Sequence, residues 1–153
     1  MMIVPTYVGP SMIEGVGIFA ATPIKAGEAI WILDEKFDLQ LSLSDLPLLS
    51  EVQRQFIERY GYPHMTRPGI VVLEFDNGRF MNHSDTPNTD FRNAEIAWAT
   101  RDIAEGEELT CNYTEFDPGF VMLPGRNFAS GALPPRISAA EAVAQGEAPD
   151  CAS

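Results

Sequence analysis

The chain has 153 residues, 45% hydrophobic and 21% charged, with 12 Gly and 12 Pro; this excludes a disordered or fibrous chain and is enough for one buried core without disulfides. Ten basic residues stand against 22 acidic ones, net −12, which argues against direct binding to a nucleic-acid backbone and suits a basic peptide. No apolar run approaches the roughly 20 residues that span a bilayer, the start MMIVPTYVGPS lacks the basic and apolar regions of a signal peptide, and Cys111 and Cys151 form neither a disulfide framework nor a CxxC zinc site. The expectation is a cytoplasmic protein in reducing conditions with no membrane contact.

In chain order, residues 3–37 carry the short apolar runs IVPTYV, GIFAA and EAIWIL, cut by Gly and Pro, and are predicted as β-strands. Leu49, Val52, Phe56 and Tyr60 then recur at helical spacing. Ser50 and Gln53 have the spacing of a capping box, and Gly61 and Pro63 end the predicted helix. After MTRPG the run IVVLEF predicts a strand, and Asp76-Asn77-Gly78 predicts a hairpin turn into RFMNHS, because Asn-Gly tolerates positive φ. EIAWAT and ELTCNY predict two more strands, joined by RDIAEGE.

The turn ATPIKAGE at 21–28 is echoed by ATRDIAEGE at 99–107. Each offers an Ile that can pack inward and a Gly available for a left-handed conformation. From Ala129 onward the sequence is rich in Ala and Pro and nearly without large apolar groups. It is expected to be a flexible C-terminal tail, 129–153, in which Ser138 and Glu141 could cap a short helix.

RFMNHSDTPN, residues 79–88, places Asn82, His83 and Ser84 in a row and ends on Thr86-Pro87-Asn88. Three adjacent polar side chains cannot all enter an apolar core, so the segment reads as one that presents groups to something. A hydrolase relay of His83, Ser84 and Asp85 is excluded, since neighbours on an extended segment point to alternating faces. His64, His83 and the scattered carboxylates lack metal-ligand spacing, so no metal site is expected. Gly15-Val16-Gly17 alone allows close approach of backbone to a ligand and equally serves an ordinary turn; Ile18 and Phe19 rule out the dinucleotide fingerprint. ELTCNY alone is a strand ending in a tyrosine of the core or its rim.

Together, Gly15-x-Gly17, the Asn-His-Ser-x-x-Pro-Asn string at 82–88 and GEELTCNY ending at Tyr113 resemble, in order and spacing, the SET-domain protein lysine methyltransferases. The resemblance covers roughly residues 12–118. It implies a mainly β, β-clip-like SET-domain fold of several small curved sheets with a C-terminal pseudoknot-like arrangement. The domain would be residues 1–128, with a helical insert at about 44–62. It further implies that Gly15, Val16, Gly17, Asn82 and His83 hold S-adenosyl-L-methionine, whose product is S-adenosyl-L-homocysteine, and that Tyr113 is catalytic and touches this donor.

The implied substrate is a protein or peptide bearing lysine. Trp98, Phe91, Tyr60 and Tyr62 are candidates for an aromatic channel around the lysine side chain, each of them also explicable as core packing. Arg79 opens the same motif and serves either the site or the structure. Asn112 stands where many members carry Asp before the tyrosine, and the zinc-binding cysteine flanks are absent, so Phe116, Phe120 or Phe128 would cover the adenine. Two other readings stay open: a SET-like scaffold without turnover, and a methyltransferase for small amines. A homodimer is left open as a way of completing the peptide site.

Overall fold

In this computed structural model residues 1–117 are described. The expected tail, its short helix, the end of the domain at 128, and Phe120 and Phe128 lie outside them. The described chain is mainly β, in three small sheets. The first has the order β1 (Thr6–Pro10), β2 (Val16–Ala20), β10 (Glu108–Cys111), β7 (Asn82–His83). The second is β3 (Ala29–Ile32), β9 (Ile96–Ala99), β8 (Thr89–Asp90). The third is β4 (Leu39–Ser42), β6 (Ile70–Leu73), β5 (Tyr62–Pro63).

The predicted strand IVPTYV starts later than its sequence suggests, at Thr6. Pro5 has no N–H for a ladder, and its carbonyl instead accepts from Ala21 N–H at 3.0 Å. The predicted helix forms as α1 (Glu51–Tyr60), and its capping box is made: Ser50 Oγ accepts from Gln53 N–H at 3.4 Å, and Gln53 Oε1 accepts from Ser50 N–H at 2.9 Å. Its buried residue is Ile57, whereas Val52 and Phe56 of the predicted apolar stripe are exposed. The helix therefore rests on the domain by a narrow contact.

The hairpin predicted at Asp76-Asn77-Gly78 does not form. Asp76 Oδ1 accepts from Gly78 N–H at 2.9 Å and caps a 3-10 turn over Asn77–Phe80, a competing use of the same turn residues. Asn82 and His83 thus leave β6 and pair in parallel with β10, Asn82 opposite Thr110 and His83 opposite Cys111. That parallel pairing joins segments a hairpin would have kept apart, and it positions the site.

The two echoed turns meet. Ile24 and Ile103 exchange backbone hydrogen bonds, 2.9 Å each way, and both side chains are buried. Gly27 and Gly106, the equivalent glycines, take φ of 78° and 79°. Lys25 Nζ reaches Asp102 Oδ2 at 3.0 Å across the pair. With Ile18, Ile30 and Leu109 these isoleucines form the core that holds the first and second sheets together.

Candidate functional site

Asn82 spends its side-chain amide on the glycine loop. Its Nδ2 donates to the carbonyl oxygens of Glu14 (3.3 Å) and Val16 (3.1 Å) and to Glu108 Oε1 (2.8 Å). Ser11 Oγ donates to the same carboxylate at 2.8 and 2.9 Å. Gly17 is required by this network, because an added Cβ would stand 2.1 Å from Glu108 Oε1. Gly15 is required by its backbone, at φ 49° with open space beside it. The Gly15-Val16-Gly17 loop and Asn82 are thus brought together, and Glu108, which the sequence did not single out, anchors them.

His83 and Tyr113 are brought together by the β7–β10 pairing. Tyr113 N–H donates to His83 Nδ1 at 3.2 Å, and the two rings lie 5.2 Å apart. The Tyr113 hydroxyl donates to the carbonyl of Met81 at 2.6 Å. Burial, followed by the nearby Cys111 and Glu14, pushes that hydroxyl well above its usual range, so it stays protonated at neutral pH. Asn112 is taken up locally: its Oδ1 caps the turn that carries Tyr113 and accepts from Thr114 N–H at 3.0 Å.

Tyr113 also lines a cavity of about 190 Å³. Tyr60, Tyr62 and Phe91 are in its wall, as the channel reading expects, together with Trp31 and Phe116. Ring centroids run in contact through it: Trp31–Phe91 5.3 Å, Phe91–Phe116 5.9 Å, Phe116–Tyr113 5.8 Å and Phe116–Tyr62 5.2 Å. Phe116, a candidate for covering the adenine, thus stands in this cavity wall among the channel candidates. Arg79 is at the cavity too, with its guanidinium donating to Phe75 O at 2.8 Å and lying 4.6 Å from the Phe80 ring.

Trp98 is not brought to this cavity. Along β9, Ala97 and Ala99 are the buried residues, and the pleat turns Trp98 to the opposite face. Trp31 lines the cavity instead. A register irregularity in β3 between Ala29 and Trp31 lets Ile30 and Trp31 both be buried, which strict alternation forbids. No signal in the sequence marks that irregularity.

Two further residues were given no role from the sequence, Asn88 although it closes the string at 82–88. Asn88, 2% exposed, accepts from Thr110 N–H at 2.8 Å and donates to Glu108 O at 2.8 Å, so its side chain clamps β10. Its place at the end of the polar run is the signal that could have found it. Glu74 is 6% exposed at the cavity wall. Its Oε1 accepts from Trp31 Nε1 at 2.9 Å and from Tyr62 OH at 3.0 Å. Burial, with Asp76 and Asp38 adding to it, pushes the Glu74 carboxyl up to about 7. Among the described residues no group of three or more His, Cys, Asp or Glu could hold a metal ion, and no helix is long and apolar enough to cross a membrane.

A glycine loop tied down by Asn82 and an aromatic cavity lined by Tyr113 are thus joined through the 81–83 segment. Residues 15–114 match the family model of the SET domain, and the chain belongs to the SET-domain family. No curated protein matches the chain. Similar solved structures include a candidate histone methyltransferase of Plasmodium falciparum, 22% identical with a TM-score of 0.52, over 72% of this chain and 93% of that one. That likeness speaks for the fold alone.

A humanized Chaetomium thermophilum polycomb repressive complex 2 bound to an inhibitor is 25% identical with a TM-score of 0.56, over 75% of this chain and 15% of that one. An active polycomb repressive complex 2 in its basal state is 26% identical with a TM-score of 0.54, over 72% of this chain and 15% of that one. The chain thus spans about 15% of the length of these polycomb chains.

Proposed function

We propose that this chain transfers a methyl group from S-adenosyl-L-methionine to the side-chain amine of lysine in a protein substrate. The family supports a methyltransferase, and the observation that carries the finer reading is the parallel pairing of Asn82-His83 with Thr110-Cys111, which sets His83 against Tyr113 at an aromatic cavity. The chemistry of the loop fits the donor. S-adenosyl-L-methionine supplies an electrophilic methyl on a sulfonium and carries no phosphate, and the described partners of Asn82 are carbonyl oxygens and a carboxylate, groups that favour a cationic ligand. Gly15, Val16, Gly17, Asn82 and His83 would hold it.

The chain's own residues do the rest. The Tyr113 hydroxyl, held by its hydrogen bond to Met81 O, would orient the reacting groups. Trp31, Tyr60, Tyr62, Phe91 and Phe116 exclude water from the amine. A lysine presented as a neutral nucleophile at pH 7 costs roughly 4–5 kcal/mol, and an apolar wall lowers that cost by disfavouring the ammonium. The net charge of −12 favours a basic peptide.

The test is transfer of a radiolabelled methyl from S-adenosyl-L-methionine to a panel of lysine-bearing peptides, with free amines alongside. Labelled peptide lysine, strongly reduced with Tyr113→Phe, supports the reading. Labelling of free amines alone moves the substrate to small molecules, and no labelling by a chain that binds the donor contradicts the reading.

A further inference from the structure

Glu74, which lines the cavity, carries one polar atom that its surroundings do not satisfy. Glu74 Oε1 is shared by Trp31 and Tyr62, but Oε2 is buried and has no hydrogen-bond partner among the described residues. A buried carboxyl oxygen without a partner is costly, whether the group is ionised or protonated, and asks for a ligand. Oε2 has its position only because residue 78 is glycine: an added Cβ would lie 1.7 Å from it. Glu74 and Gly78 both line the cavity that Tyr113 lines, among aromatic rings.

We propose that the Glu74 carboxylate receives the substrate's ammonium group in this cavity and takes a proton from it. One N–H bond breaks, its electron pair stays on nitrogen as the lone pair, and the proton bonds to the Glu74 carboxylate. A neutral amine and a neutral carboxylic acid result, and the acid returns its proton to solvent before the next turnover. The inference rests on the methyltransferase reading and goes beyond it by naming the group that makes the amine nucleophilic.

The groups around Glu74 are consistent with this exchange. Asp38 and Asp76 raise its proton affinity beyond the effect of burial, while the chain's amino group and the Tyr62 hydroxyl act the other way. Cys111, with its thiol pushed up by burial, contributes no charge at neutral pH. Glu58, Arg59, His64, Arg79 and Asp117 also line the cavity. An entering ammonium therefore meets in Glu74 a carboxyl that exchanges its proton near neutrality.

The probe is n-butylamine, which reproduces the end of a lysine side chain, followed by carbon NMR of the full chain labelled at Glu carboxyls, with Glu74 assigned by its loss in Glu74→Gln. The expected result is a titration midpoint that falls by one pH unit or more when n-butylamine is added and does not move with n-butanol. Glu74→Gln keeps an oxygen for Trp31 and Tyr62 and is expected to stay folded while binding n-butylamine at least tenfold more weakly. A midpoint unmoved by the amine, no amine binding by the wild-type chain, or equal binding by folded Glu74→Gln overturns the proposal. Should the variant not fold, the wild-type titration decides. Binding of S-adenosyl-L-methionine on the same sample separates the two claims: donor bound with an unmoved midpoint removes the role of Glu74 alone, and a moved midpoint without donor binding removes the methyl-transfer reading alone.

Discussion

Tyr113 N–H donates to His83 Nδ1 at 3.2 Å while the hydroxyl of the same tyrosine donates to Met81 O at 2.6 Å. Both ends of Tyr113 are thereby tied to the 81–83 segment. Because Nδ1 accepts, the neutral imidazole carries its proton on Nε2, which lies 3.3 Å from Asp85 Oδ1.

Tyr113→Phe keeps the backbone anchor and removes the hydroxyl. The expected outcome is a fall in kcat on the order of 10²-fold, with donor affinity unchanged and about 1 kcal/mol of stability lost. Single-turnover methyl transfer and thermal unfolding check it.

Asn88→Ala leaves Thr110 N–H and Glu108 O on the buried side of β10 without the partners they have now. A loss of about 2–4 kcal/mol in urea unfolding is expected, with amide exchange at Thr110 accelerated. Since the turn that carries Tyr113 follows directly on β10, activity should fall with stability.

The two glycines of the loop should fail in different ways. Gly17→Ala places a Cβ 2.1 Å from a carboxylate already held by Ser11 and Asn82, so donor affinity and stability both drop. Gly15→Ala meets open space and loses about 1 kcal/mol through its φ of 49°. Calorimetric donor binding beside thermal unfolding distinguishes them.

Glu74 predicts a pH dependence of stability. Its carboxyl is raised from an ordinary 4.5 to about 7 by burial first, so between these values the unfolded chain is ionised while the folded one keeps its proton. The unfolded state then binds fewer protons, and stability falls as pH rises through that window. Relative to Glu74→Gln, the wild-type chain should lose roughly 3 kcal/mol as pH rises from 4.5 through 7, the loss levelling off about one pH unit above 7. Urea midpoints of both proteins across that range check the sign.

The strands, the capped helix and the left-handed glycines of the two echoed turns were legible because each rests on local chemistry: alternating or apolar runs, Ser50 with Gln53, and Gly27 and Gly106 at positive φ; that the two turns meet was not legible. The pairing of Asn82-His83 with Tyr113 was legible only through the family resemblance. What stayed hidden had no mark in the residue pattern. Asp76 used its side chain to cap a turn, where a hairpin was predicted; an irregularity in β3 brought in Trp31 in place of Trp98; and Glu74, within the predicted strand IVVLEF, meets Trp31 and Tyr62 only in the folded chain.

The most direct test of the account is calorimetric titration of S-adenosyl-L-methionine into the folded chain and into Asn82→Ala, which removes the amide that ties Glu14, Val16 and Glu108 together. Saturable binding of one donor per chain, weakened at least tenfold in Asn82→Ala, is the predicted result. A folded wild-type chain that binds no donor would contradict it.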